Sequence, residues 1–213
     1  MNWKLPNQLT VGRIGLAAGF FVLLGLWNGN SSHGQVLLNA AFVVYLLAAI
    51  TDVLDGWVAR RFKLESAFGR IADPFVDKLL VVGAFVMLAG NNFAIPPGSS
   101  LTDASLPGWV TGGMHSAVQA WMVVTILARE FVVSAIRGYS ESQGASFPAT
   151  YAGKAKMFVQ SVTICVVLYQ LANVQTPLWA VWLKISLVWL TVVVTLLSGL
   201  LYVGRARKVL ALG

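Results

Sequence analysis

The chain has 213 residues, of which 57% are hydrophobic and only 11% are charged, and its mean hydropathy is +0.74. Such a large apolar fraction excludes a soluble single-core domain, and the length admits about six helical spans and no second globular domain. The formal net charge of +7 favours contact with anionic headgroups and phosphorylated solutes.

Six continuous apolar stretches follow one another along the chain. Unbroken apolar runs indicate helices, because membrane strands alternate apolar and polar residues at every second position. The one long connection, residues 91–115, is rich in Gly, Pro, Ser and Asn. The sequence therefore predicts an all-α polytopic membrane protein with a single integral-membrane domain, residues 1–213, and six transmembrane helices at about 10–27, 36–59, 71–90, 116–137, 157–174 and 178–203.

The lysines and arginines lie on one side of this six-span arrangement. Fourteen of the fifteen fall within residues 1–13, 57–78, 129–156 and 204–213, and Lys184 alone falls on the opposite side. Because basic segments beside membrane spans tend to stay in the cytoplasm, we expect both termini and the basic face to be cytoplasmic, in an inner or plasma membrane. Topology alone explains these charges, so no nucleic-acid partner is expected.

Five of the eight acidic residues fall within residues 52–77. Asp52 and Asp55 are three residues apart near the end of the second span, and Asp73 and Asp77 are four apart at the start of the third, so each pair shares a helix face. We expect the four carboxylates to meet at the cytoplasmic mouth of a helix hairpin. Carboxylates in a membrane need neutralisation, and an all-oxygen cluster suits two Mg²⁺ or Mn²⁺ ions. Pairing with Arg and Lys alone is the structural alternative.

The same segment reads DxxDGxxAR, then eight residues, then GxxxDxxxD. Its fixed positions are Asp52, Asp55, Gly56, Ala59, Arg60, Gly69, Asp73 and Asp77. On these residues the chain resembles the CDP-alcohol phosphotransferase family. The resemblance implies a six-span, homodimeric membrane enzyme that moves a phosphoalcohol from a CDP-linked donor to an acceptor hydroxyl and releases CMP.

The resemblance also implies a role for each residue of the signature. Asp52, Asp55 and Asp73 would hold the pair of divalent metal ions, and Asp77 would be metal-associated and the general base. The contacts to CDP would come from the small residues and the arginine, namely Gly56, Ala59, Arg60 and Gly69.

Four further stretches are similar to the branch of this family that transfers the phosphatidyl group of CDP-diacylglycerol to sn-glycerol 3-phosphate within the lipid bilayer. They are LPNQLTVGR at 5–13, DPFVDKLL at 73–80, LAREFVVSAIR at 127–137 and GKAKMFVQ at 153–160. The chain departs from the branch at Met157, where the branch usually has Thr.

An acceptor that carries a phosphate dianion requires cations near the metal site. We expect these to be Arg129, Arg137, Lys154, Lys156 and Arg13. Arg129 lies within the fourth span, where a guanidinium needs an anionic partner and offers a bidentate grip on phosphate. For Lys154, Lys156 and Arg13, an interfacial location of the charge is an equally good explanation.

Two sets of alternatives remain open from the sequence. The same chemistry is possible with inositol phosphate, serine or phosphatidylglycerol as the acceptor. Intramembrane carboxylates also occur in ion-coupled transporters, which makes a metal-ion transporter the rival class. The predicted carboxylates lie near one membrane face and no inverted repeat is evident, which disfavours the transporter.

Overall fold

The computed structural model describes the backbone of residues 5–27, 33–62, 67–100, 102–143 and 151–210. Within these ranges, the side chains of residues 5–10, 53–62, 67–74, 77, 102–103 and 207–210 lie outside the description. The helices in chain order are α1 (Leu5–Leu26), α2 (Gly34–Phe62), α3 (Ala67–Leu88), the short α4 (Gly108–Thr111), α5 (Ala120–Ser142), α6 (Tyr151–Asn173) and α7 (Leu178–Leu210). Apart from one isolated bridge between Ala94 and Met114, these ranges contain no β structure, and the all-α prediction is confirmed.

The six long helices correspond in order to the six predicted spans. By length and composition, three segments of the described chain qualify as membrane crossings, namely Gly34–Asp52, Tyr151–Asn173 and Leu178–Ala206. Two shorter apolar segments, Val11–Leu26 and Lys78–Leu88, lie in α1 and α3. The helices are thus those of an integral membrane protein, and the count of six spans and the side of the termini stay predictions.

The helices extend beyond the predicted spans at the end that carries the basic residues. α2 continues to Phe62, α3 begins at Ala67, α6 begins at Tyr151 and α7 continues to Leu210. The reason is that hydropathy marks only the part of a helix that lies in hydrocarbon, whereas backbone hydrogen bonding continues into the polar interface. The signature residues and most of the cations therefore lie on regular helix rather than on loops.

The fourth predicted span begins at residue 116, but α5 begins only at Ala120. Ala117 has a positive φ of 59°, which helix does not allow. The preceding Ser116 donates its hydroxyl hydrogen to the carbonyl of Leu88 at 2.6 Å and accepts the Val118 N–H at 3.2 Å. These side-chain bonds hold residues 116–118 in a turn, so the helix starts four residues later than its apolar pattern.

The long helices pack around one apolar core. α1 packs on α2 and α3, α2 on α6, α6 on α7, and α7 on α5, whereas the contact between α3 and α5 is small. Fully buried side chains include Phe20, Tyr45 and Phe85, and Phe20 and Tyr45 lie with ring centroids 5.4 Å apart. The loose contact between α3 and α5 leaves space that the candidate site uses.

The connection between α3 and α5 forms an ordered cap over one end of the bundle. Phe93 stacks on Trp27, with ring centroids 4.2 Å apart. Lys184 of α7 is only 1% exposed, and its ammonium donates to the backbone carbonyl of His115. The lone cation predicted for this side of the membrane therefore has a structural role.

Candidate active site

The signature residues occupy the adjoining ends of α2 and α3. Asp52 is the one member of the signature whose side chain the structure describes. The backbone places Asp55, Gly56, Ala59 and Arg60 in the last turns of α2, and Gly69, Asp73 and Asp77 in the first turns of α3. The side chains of these seven residues lie outside the described part, so their predicted roles stay predictions.

Asp52 is half-buried and accepts a hydrogen bond from the guanidinium of Arg13 in α1. Arg13 is itself buried, with 4% of its surface exposed. Val76 and Leu80 of α3 line the same small cavity as this ion pair. Because Val76 lies between Asp73 and Asp77 in the chain, the helix with the second aspartate pair runs beside Asp52. This proximity agrees with the predicted hairpin.

The chemistry of these residues fits a pair of divalent cations. The described side chains alone contain no group of three or more His, Cys, Asp or Glu residues that suits a metal ion. The remaining donors of the predicted set are carboxylate oxygens, which hard divalent ions prefer. One Asp52 oxygen pairs with Arg13, and a carboxylate has a second oxygen and further lone pairs for a cation.

A polar cavity of about 220 Å³ lies between α3, α5, α6 and α7. Its lining includes four of the five cations predicted for the acceptor phosphate, namely Arg129, Arg137, Lys154 and Lys156. The fifth, Arg13, is not part of this lining and lies with Asp52 instead. The structure thus brings together charges from α5 and α6 that are far apart in sequence.

Glu130 is the one carboxylate in the described lining of this cavity, and it holds two of the cations. One oxygen, Oε1, accepts from Lys156 Nζ at 2.6 Å and from an Arg129 terminal nitrogen at 2.9 Å. Glu130 is 7% exposed and Lys156 is 6% exposed. Removing buried charges from water is costly, and the pairing of Glu130 with the two cations offsets part of that cost.

Tyr202 of α7 lies between the two arginines of the cavity. The guanidinium carbons of Arg129 and Arg137 are 5.5 and 5.8 Å from its ring centroid, and Arg137 donates to its hydroxyl at 3.4 Å. Arg129 also donates from Nε to the Ser198 hydroxyl at 3.2 Å. The Nε of Arg137 is buried without a hydrogen-bond partner among the described atoms. A buried donor that lines a cationic cavity is suited to an anionic ligand.

The cavity contains further polar residues that were not predicted to bind the acceptor. Three of them, Lys78, Ser134 and Gln160, lie within the stretches that resemble the family branch, whereas Tyr202 does not. Ser134 and Lys78 line it together with the arginines, and Gln160 and Tyr202 complete its polar surface. Tyr202 lies in the last predicted span, which carries no motif. A tyrosine at the end of a span is usually explained by its preference for the membrane interface, so the sequence gives no reason to assign it to the site. Met157 also lines the cavity, so the departure from the branch leaves a thioether where a hydroxyl is usual.

Comparison with known proteins identifies the family of the chain. The family model described as CDP-alcohol phosphatidyltransferase matches residues 3–197. Three relatives share the name CDP-diacylglycerol–glycerol-3-phosphate 3-phosphatidyltransferase. The protein of Bacillus subtilis strain 168 is 28% identical over 95% of both chains, and that of Escherichia coli strain K12 is 30% identical over 97% of both.

The third relative, from Cereibacter sphaeroides, is 31% identical over 78% of this chain and 63% of its own length. The family model covers the signature hairpin, the cationic cavity except Tyr202, and more than half of α7. The chain therefore belongs to the CDP-alcohol phosphatidyltransferase family.

Proposed function

We propose that this enzyme transfers the phosphatidyl group of CDP-diacylglycerol to sn-glycerol 3-phosphate and gives phosphatidylglycerophosphate and CMP. The observation that carries the proposal is the cationic cavity between α3, α5, α6 and α7. Its described lining contains five lysines and arginines and one carboxylate. An acceptor with a phosphate dianion is the substrate that such a cavity suits. The names of the three relatives support the same pair of substrates.

In this proposal each end of the acceptor has its own site. The phosphate of glycerol 3-phosphate lies in the cavity on Arg129, Arg137, Lys154 and Lys156. The primary hydroxyl lies at the aspartate hairpin, where Asp77 takes its proton. The acceptor oxygen then attacks the β-phosphorus of CDP-diacylglycerol, the bond from that phosphorus to the bridging oxygen breaks, and CMP leaves with that oxygen.

Asp52, Asp55, Asp73 and Asp77 are the residues that would hold the divalent ions, Mg²⁺ or Mn²⁺. When bound, two such ions supply charge stabilisation and alignment for in-line phosphoryl transfer. Arg13 fixes the orientation of Asp52 through their ion pair. Gly56, Ala59, Arg60 and Gly69 would line the site for the nucleotide.

The proposal places the aspartate hairpin at the cytoplasmic face of an inner or plasma membrane. The distribution of lysine and arginine supports this orientation. The diacyl tails remain in the bilayer while the headgroup reaches the hairpin. We also infer a homodimer, which rests on the family resemblance alone and is tested by crosslinking in membranes.

The direct test is a panel of acceptors. Purified protein in detergent is incubated with CDP-diacylglycerol and Mg²⁺, and with glycerol 3-phosphate, inositol phosphate, serine or phosphatidylglycerol. Products are identified by mass spectrometry, with CMP release as the second readout. We expect phosphatidylglycerophosphate with glycerol 3-phosphate and little product otherwise. Preference for another acceptor would refute the substrate assignment, and metal transport into liposomes without CMP release would refute the enzyme class.

A further inference from the structure

We propose that Lys78 is a fifth ligand of the acceptor phosphate, in addition to the four cations of α5 and α6. This inference rests on the proposed function, because it concerns the phosphate monoester that the cavity receives. Lys78 lies in α3 and follows Asp77 directly in the chain. It lines the same cavity as Arg129, Arg137 and Lys156.

A serine holds the ammonium of Lys78 in place. Its Nζ lies 2.6 Å from the Ser134 hydroxyl oxygen on α5. That hydroxyl donates its single hydrogen to the carbonyl of Glu130 at 2.6 Å, so its oxygen accepts from Lys78. The side chain therefore reaches from α3 to α5, across the gap where the two helices make little contact.

The hydrogen bond to Ser134 orients Lys78 but does not balance its charge. Glu130, the one carboxylate in the described lining, directs its Oε1 to Lys156 and Arg129 instead. The side chain of Lys78 is exposed. An ammonium that is hydrogen-bonded to a neutral hydroxyl, in a cavity that also contains two arginines, is suited to bind a phosphate.

The location of Lys78 connects the two halves of the proposed site. Adjacent residues have Cα atoms about 3.8 Å apart, so Lys78 and Asp77 lie on the same turn of one helix. A phosphate bound by Lys78 is thereby held from the same helix as the residue proposed to deprotonate the hydroxyl. In glycerol 3-phosphate only three carbon atoms separate the two groups. The cations of α5 and α6 have no such direct link to the signature.

The test compares Lys78→Met with Lys78→Arg in steady-state kinetics at fixed Mg²⁺. We expect Lys78→Met to raise KM for glycerol 3-phosphate about 10- to 100-fold, the range for loss of a charge-assisted hydrogen bond. The kcat and the KM for CDP-diacylglycerol should change less than about threefold, because uniform binding is what is lost. Lys78→Arg keeps the charge and should recover most of the affinity.

Inorganic phosphate serves as a probe that needs no turnover. Its inhibition constant against glycerol 3-phosphate, and the rise in melting temperature that it causes, should both weaken in Lys78→Met. Should Lys78→Met not fold, Lys78→Gln is measured in its place with the same expectation. Ser134→Ala leaves the charge but removes its anchor, and should raise the same KM by a smaller factor.

The outcomes separate this inference from the proposed function. A wild-type enzyme that gives no product with glycerol 3-phosphate would refute the proposed function, and phosphate binding would still report on Lys78. Wild-type turnover with an unchanged KM in Lys78→Met would overturn the role of Lys78 alone. A fall in kcat without a change in KM would also overturn it, because Lys78 would then act on the reacting groups rather than on the acceptor phosphate.

Discussion

Lys154 and Lys156 lie two residues apart in the first turns of α6, and their surroundings differ enough to give a sharp prediction. Lys156 is 6% exposed and its ammonium is 2.6 Å from Glu130. Lys154 is exposed, and its described contact is the ring of Tyr151, 6.0 Å away. The same substitution to Met therefore removes a buried ion-pair partner in one case and an interfacial charge in the other.

The size of the effect follows from the geometry around Glu130. Removing one partner of a buried pair costs about 3–5 kcal/mol, because an uncompensated charge is left behind. Arg129 remains 2.9 Å from the same carboxylate oxygen in Lys156→Met and supplies about half of the original compensation. We therefore expect the lower end, about 3 kcal/mol, which corresponds to about 6–12 °C in Tm for a chain of this length. Lys154→Met should cost at most about 1 kcal/mol, or about 3 °C.

The assay is thermal unfolding of the purified variants in one detergent. The double variant Lys156→Met, Glu130→Gln also takes the carboxylate away from buried Arg129, so it should have a lower Tm than Lys156→Met alone. Equal Tm shifts for Lys154→Met and Lys156→Met would refute the reasoning. So would a double variant that is more stable than Lys156→Met alone.

Three other predictions concern catalysis. Asp77→Asn should abolish turnover, whereas the dissociation constant for CDP, measured by calorimetry, should stay within about threefold of the wild-type value. An active variant would exclude Asp77 as the base. Tyr202→Phe keeps the ring and should keep the KM for glycerol 3-phosphate within about threefold of the wild-type value. Tyr202→Leu removes the ring that both arginines contact and should raise this KM about tenfold. Equal KM values in the two variants would contradict a positioning role for the ring. A Cβ on Gly199 would lie 3.0 Å from Arg129 Cγ, so Gly199→Ala should raise the KM for glycerol 3-phosphate about two- to fivefold. The control is Gly204→Ala, which should leave this KM unchanged because a Cβ there has no neighbour within 4 Å.

The sequence predicts the helices well because membrane hydropathy is a strong signal. Each of the six long helices has its own apolar stretch. The stretch does not include the polar turns by which the helix extends beyond it, such as the end of α2 at Phe62 and the start of α6 at Tyr151. The delayed start of α5 at Ala120 depends on hydrogen bonds of Ser116 to residues distant in sequence. Such contacts have no local pattern.

The candidate site likewise contains residues that the sequence identifies and residues that only the structure identifies. Charged residues in apolar surroundings are conspicuous, so Arg129, Arg137, Lys154 and Lys156 are accessible to sequence reasoning, and the structure places them in one cavity. The sequence grouped Arg13 with them, but the structure places it on Asp52, because helix packing rather than charge decides which anion is near. Neutral residues such as Tyr202 and Ser134 gain their meaning only from the helices that pack beside them.

The buried ammonium of Lys184 has a consequence for how the chain is assembled in the membrane. Lys184 is the seventh residue of α7, and a lysine in a span adds at most roughly 3 kcal/mol to insertion, with a smaller cost toward the end of the span. Its acceptor, the His115 carbonyl, lies 69 residues earlier in the chain. The cap is therefore synthesised before α7, so the carbonyl that accepts from Lys184 is already part of the chain when the last helix forms.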